Sequence, residues 1–200
     1  MLPSRSTVMG KPAKRIATYD DLLAAPEHKV AEIIEGELVL SPRPAARHAV
    51  ATSALLGELA SPFTRGRGGP GGWIILVAPE IHFGANVLVP DLAGWRRETM
   101  SKVPDEPYLT VRPDWLCEVL SPSTERYDRG AKIEIYARAG VTNAWLVNPV
   151  QHTLEVLRLS AETPTKWTSL AVFTDDAKVR AEPFDAIDLD LGVLWQDVQR

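Results

Sequence analysis

Two carboxylates stand where the chain otherwise reads as buried strand. Asp91 follows the apolar run Val87-Leu88-Val89-Pro90, and Glu118 lies in the middle of Trp115-Leu116-Cys117-Glu118-Val119-Leu120. A carboxylate inside an apolar region is costly unless it is paired or holds a metal ion. Strand alternation puts Glu118 on one face with Leu116 and Leu120, and Trp115, Cys117 and Val119 on the other. Both faces are apolar, as in a central strand covered on both sides, where a charge marks a site at the crevice of the sheet. Lys132 falls early in the helix expected over DRGAKIEIYARAG, with Asp128 as its expected N-cap. Tyr136 follows Lys132 at i+4 on the same helix face. If the loop 121–128 returns this helix over the strand end, Lys132 points at Glu118 and Asp91. Two acids and a lysine suit phosphoryl transfer. The acids hold a hard divalent ion through oxygen. The ion polarises a phosphodiester and activates a water, and the lysine orients that water or stabilises the charge that develops.

Each of these residues also has an ordinary structural reading. Asp91 suits a strand-end turn after Pro90, Glu118 suits an ion pair with Lys132 or an arginine, and Lys132 suits a solvated helix face. Glu32 and Glu35 flank Ile33 and Ile34; one of them is placed to reach the same site, though acids at strand edges are common. His48 either faces the site with Thr52 or decorates the outer surface of its helix. His28, His82 and His152 show no metal-ligand spacing. Arg65, Arg67, Arg96 and Arg97 are candidates for a basic patch, and equally for solvated surface.

The elements that must position these groups follow from patterning. ATYDDLLAA reads as a short helix with Thr18 as cap and Asp21 three residues later, as in a capping box. VAEIIEGELVLSP reads as strand, turn, strand. Residues 46–60 form a helix whose Ala51, Leu55, Leu56 and Leu59 share a buried stripe. RGRGGPGG is a loop lacking the Lys-Ser/Thr of a phosphate-binding loop. WIILVAPEIHF and NVLVPDLAGW read as a hairpin or bent pair of strands around Gly84 and Ala85. DWLCEVL is a strand, Gly140 ends the following helix, and NAWLVNP is another strand. Further strands are expected over about 153–160, 167–173 and 178–182, while DAIDLDLGVLWQDV is ambiguous. This order predicts an α/β or α+β sandwich around a mixed sheet.

The chain has 200 residues, a formal net charge of -4 and one cysteine, Cys117. Its length suits one domain, expected over 16–200 after a flexible polar tail over 1–15. A lone cysteine permits no internal disulfide, and no apolar run approaches a membrane span. The tail lacks the apolar core of a secretory signal, so the cytoplasm is the expected location. The acidic balance gives no global attraction to nucleic acid, leaving any such binding to a local patch.

Three segments resemble the Uma2 family, also called DUF820, a branch of the PD-(D/E)XK restriction-endonuclease-like superfamily. They are AEIIEGELVLSPRPAARH at 31–48, VPDLAGW at 89–95, and WLCEVLSPSTERYDRGAKIEIYARAGVTNAWLVNP at 115–149. The last is the most specific, and the likeness covers roughly 18–160. It implies a restriction endonuclease-like mixed β-sheet core flanked by helices, with additional antiparallel strands. It assigns Asp91 and Glu118 as catalytic and metal-binding acids, with Glu32 a candidate to complete the shell, and Lys132 as the catalytic lysine. His48 and Tyr136 are implied as supporting residues, and Mg²⁺ or Mn²⁺ as the cofactor. The superfamily lysine stands two residues after the second acid, where this chain has Leu120; as is usual in this branch, its role moves to the helix at Lys132. Asn148 replaces the family's usual aspartate.

The implied function is hydrolysis of DNA phosphodiesters by a metal-activated water. Two alternatives stand beside it. One is a non-catalytic nucleic-acid-binding or regulatory protein that keeps the fold. The other is a metal-dependent hydrolase of a small phosphate or nucleotide, which a narrow electronegative pocket would favour. DNA is the expected partner, no organic cofactor or membrane is expected, and a homodimer would suit double-strand cleavage. Trp95 and Trp167 are candidates for that interface or for the core.

Overall fold

The computed structural model describes residues 15–198; the tail expected over 1–15 lies almost wholly outside them. Helix α1 (Tyr19–Leu23) opens on the expected capping box. The Thr18 side chain accepts from the Asp21 N–H, and Asp21 reaches back to the Thr18 backbone. Strands β1 (Lys29–Ile34) and β2 (Glu37–Pro42) form an antiparallel hairpin. Helix α2 (Ala46–Leu59) follows and runs into a π-helical turn, Ala60–Thr64. Ala51, Leu55 and Leu59 are fully buried, and Leu56 packs at the edge of the same core.

The segment 73–96 departs from the expected pair of strands. It divides into β3 (Trp73–Val77), β4 (Ile81–Phe83), β5 (Asn86–Leu88) and β6 (Leu92–Arg96), shared between two sheets. Only β4 and β5 form the hairpin at Gly84, whereas β3 pairs with β6. Two interruptions, at 78–80 and 89–91, let the chain cross from one sheet to the other. Alternation alone does not reveal such a switch, because both layers are apolar.

Strand β7 (Trp115–Val119) leads into α3 (Glu125–Tyr127), a π-helical turn (Asp128–Lys132) and α4 (Ile133–Arg138), then β8 (Asn143–Asn148). The chain continues through β9 (Thr153–Leu159) and β10 (Trp167–Thr174). A small ribbon of β11 (Lys178–Val179) with β12 (Leu189–Asp190) follows, shorter than the strand expected over 178–182. The large sheet has the order β10-β9-β8-β7-β6-β3, and the second sheet β2-β1-β5-β4. β7 and β8 are parallel while their other neighbours are antiparallel, so the large sheet is mixed. A parallel pair needs a crossover, and α3 with α4 supplies it.

The expected two-faced burial of β7 holds. Trp115, Cys117 and Val119 face α2 and the C-terminal segment, where Phe184 packs among Phe63, Trp73, Trp115 and Trp145. Leu116 and Leu120 face the other layer with Ile135, Tyr136 and Leu146. Fully burying a side chain of this kind contributes roughly 1.5–3 kcal/mol. Gly94 is needed where β6 passes two indoles: an added Cβ would lie 3.1 Å from Trp115 and 3.3 Å from Trp73. Gly140, at φ 78°, closes α4 in the left-handed conformation.

Two surface expectations are corrected. Trp95 is fully buried, with its Nε1 donating to the Val111 carbonyl. Trp167 is half-buried against the second layer and donates to the Ile133 carbonyl. Among the described residues no helix is long and apolar enough to cross a membrane.

Candidate active site

The C-terminal end of β7 is where the chain leaves the sheet for the crossover, and the acids gather there. Glu118, on the second-layer face, accepts at Oε1 from the Tyr136 hydroxyl at 2.6 Å and from Lys132 Nζ at 2.9 Å. Lys132 Nζ also lies 3.0 Å from Glu32 Oε1 and 3.3 Å from Asp128 Oδ1. Glu32 Oε1, on β1, takes the Val89 N–H at 2.9 Å, which ties the hairpin to the segment before Asp91. Beyond Leu92, where pairing of β6 with β7 stops, Asp91 Oδ2 accepts the Val119 N–H at 2.7 Å. The same oxygen lies 3.1 Å from His48 Nε2, and Thr52, one turn along α2, hydrogen-bonds to the His48 carbonyl.

Asp128 is not the N-cap of its helix. α3 begins three residues earlier, and Asp128 opens the π-helical turn, buried and pointing at Lys132. The turn is kinked at Gly130, and its i,i+4 pair spans the kink. Sequence reasoning missed this acid, although its spacing from Lys132 equals that from Lys132 to Tyr136. The choice between Glu32 and Glu35 is also resolved. Glu32 is buried in the cluster, whereas Glu35 is exposed in the β1–β2 turn and pairs with Arg138.

Electrostatics follow from burial. Glu118 is 2 % exposed, Lys132 and Asp128 each 3 %, and Glu32 5 %. Burial raises the Glu118 carboxyl well above the usual range; Lys132 opposes that shift, and Asp128, Asp91 and Glu32 add to it. Burial likewise raises Asp128, against the pull of Lys132. For Lys132 burial works the other way, but Glu118, Tyr136, Glu32 and Asp128 outweigh it and hold the ammonium well above its ordinary range. Burial and the Glu118 charge push the Tyr136 phenol up, so it stays a donor. The cluster has more acids than bases and retains protons.

Above it opens a cavity of about 370 Å³, lined by Glu32, His48, Asp91, Glu118, Asp128 and Lys132. The segment Ser41–Ala45 walls one side and Ser121–Thr124 the other. Of the residues expected at the site, Asp91, Glu118, Lys132, Glu32 and His48 line the cavity, and Tyr136 stands behind Glu118. The walls were not anticipated as parts of the site, although both begin with Ser-Pro. Asn148 lies outside the cavity and turns the chain, its Oδ1 accepting the N–H groups of Val150 and Gln151. An amide oxygen does this as well as a carboxylate would.

The donor chemistry fits a hard divalent ion. Asp91 and Glu118 each commit one oxygen to the bonds above, and four carboxylates face Lys132 across the cavity. Among the described residues no three acidic, histidine or cysteine side chains close into a metal cage. Mg²⁺ does not demand one: it is commonly held by one or two carboxylates, with water and substrate phosphate completing the shell.

The fold and this cleft are those of a nuclease-like class. The chain is similar to the crystal structure, at 1.96 Å resolution, of a "putative nuclease belonging to DUF820" from Anabaena variabilis ATCC 29413. The TM-score is 0.72 at 24 % identity, over 90 % of this chain and 98 % of that one. A family model described as "Uma2: Putative restriction endonuclease" matches residues 16–192, and the chain belongs to that family. No curated protein matches it.

Proposed function

We propose that this protein is a Mg²⁺- or Mn²⁺-dependent endonuclease that hydrolyses DNA phosphodiester bonds. The observation that carries this reading is the contact of Lys132 Nζ with Glu118 at 2.9 Å on the floor of a cavity that Asp91 also lines. It is the two-acid-and-lysine set, with the lysine delivered from the helix rather than the strand.

Asp91 and Glu118 would hold the ion, with Glu32 as a further ligand. When bound, the ion polarises the phosphodiester and lowers the pKa of a water. His48 and the Val119 N–H fix the Asp91 carboxylate, and Tyr136 fixes Glu118. Lys132 orients the attacking water or meets the negative charge that develops on the phosphate. Glu32 and Asp128 hold its ammonium in place.

Calorimetric titration with Mn²⁺ tests the reading, run beside Asp91→Asn and followed by cleavage of labelled DNA. Saturable binding lost in the variant, with cleavage lost in both Asp91→Asn and Lys132→Ala, is the expected result. Cleavage that persists in Asp91→Asn would sink it. One observation favours a second reading. A cavity of about 370 Å³ with an acidic floor has the size of a small-ligand pocket, which suits a hydrolase of a small phosphate ester. Metal-dependent turnover of a nucleotide, without cleavage of any DNA, would select it.

A further inference from the structure

We propose that the cavity takes a single DNA strand in preference to a duplex, with Arg43 and Ser123 gripping the strand's phosphates at the mouth. This rests on the nuclease reading and narrows its substrate.

Depth is the first argument. The groups at the floor are between 2 % and 5 % exposed, so the scissile phosphate must travel past both walls to reach them. A cavity of about 370 Å³ admits a phosphate with part of its nucleotide and cannot seat a double helix.

Stiffness is the second. One wall carries Pro42 and Pro44, the other Pro122, and proline fixes φ. Ser41 is held in the β1–β2 ladder opposite Val30. On the other wall the Ser121 hydroxyl bonds to Ser123 and Thr124, each at 2.9 Å, and the Ser121 carbonyl accepts the Thr124 and Glu125 N–H groups. Neither wall is built to swing aside. The flexible partner has to be the substrate, and a single strand can bend its phosphate inward where a duplex resists deformation.

Charge is the third. Arg43 is exposed at the rim and gives one donor to the Glu27 carbonyl, leaving the rest of its guanidinium for a phosphate. Ser123, exposed on the facing wall, adds a hydroxyl. Arg65, Arg67, Arg96 and Arg97 cannot extend this rim into a duplex-wide track. Arg96 ends β6 opposite Trp73, at the other end of the strand from Asp91, and Arg65 and Arg67 follow the far end of α2.

Equilibrium binding tests this without cleavage. A labelled oligonucleotide of about 16 nucleotides, the upper range of a single-strand footprint, is titrated in Ca²⁺ by fluorescence anisotropy, as strand and as duplex. The strand is expected to bind at least about tenfold more tightly. Arg43→Ala should weaken strand binding about tenfold and reduce the salt slope by about one phosphate contact. Ser123→Ala should cost about threefold, and Arg97→Ala nothing. A duplex bound as tightly as the strand overturns the proposal. So does an Arg43→Ala variant that binds like the wild type, absence of strand binding, or a mononucleotide that competes as well as the strand. The nuclease reading is scored separately by Mn²⁺ heat and cleavage, so an enzyme that prefers duplex and cuts it leaves that reading standing.

Discussion

Two glutamates in this fold each take a tyrosine hydroxyl and a base on one oxygen, yet they do different things. Glu118 Oε1 receives Tyr136 and Lys132, and Glu80 Oε1 receives Tyr19 and His82, each at 2.8 Å. At Glu80 the rings fill the space. His82 stacks on Tyr108 at 3.9 Å, and Tyr19 meets both edge-on. The side chains of Glu80 and His82 keep 23 % and 17 % of their exposure. That group pins α1 and the segment around Leu109 to β4, where the His82 N–H also bonds to the Leu109 carbonyl. At Glu118 the space is left open, the groups are buried, and acids outnumber bases. The same bonding pattern is a staple where rings close it, and a site where a cavity meets surplus charge.

The sharpest way to break the comparison is to remove the base on each side. Lys132→Ala strands three buried carboxylates and should cost about 3–5 kcal/mol, read by urea unfolding. His82→Ala should cost far less, because water can reach Glu80. A Lys132 variant as stable as the wild type would mean the cluster is neutral without its lysine.

Next comes pH. The Glu118 carboxyl is raised in the folded state, so that state binds more protons than the unfolded one above the ordinary glutamate value, about 4.3. Its contribution to stability is full below that value and declines as pH rises through the folded pKa. Glu118→Gln should flatten that decline, and a variant whose stability falls with pH as steeply as the wild type's would refute the assignment.

Tyr136→Phe removes a bond to a buried carboxylate and should cost about 1.5–3 kcal/mol in the same unfolding assay. Tyr19→Phe should cost about 1 kcal/mol. It should also delete from the ultraviolet titration the phenol that burial and Glu80 push up to about 12.

Much of the site was legible because its residues break local pattern. Asp91 and Glu118 interrupt apolar runs, and Lys132 and Tyr136 share a helical spacing that survives the kink at Gly130. The role of Asp128 was not legible. An aspartate ahead of a helix looks like a cap until the earlier turn of α3 is seen. The division of 73–96 between two sheets was hidden for another reason: pairing partners are a tertiary matter, and alternation is the same in either sheet. The walls escaped notice because serine and proline beside a strand end signal a turn wherever they occur.

The crossover between β7 and β8 has one more consequence. Surface loops ordinarily accept changes in length, but the stretch 121–127 works as a ruler. One inserted residue there would turn the following helix by about 100°. Leu116 and Leu120 would stay in place on their strand while the ammonium swung out of the cleft. The most exposed part of the crossover is therefore the part whose length the chain is least free to change.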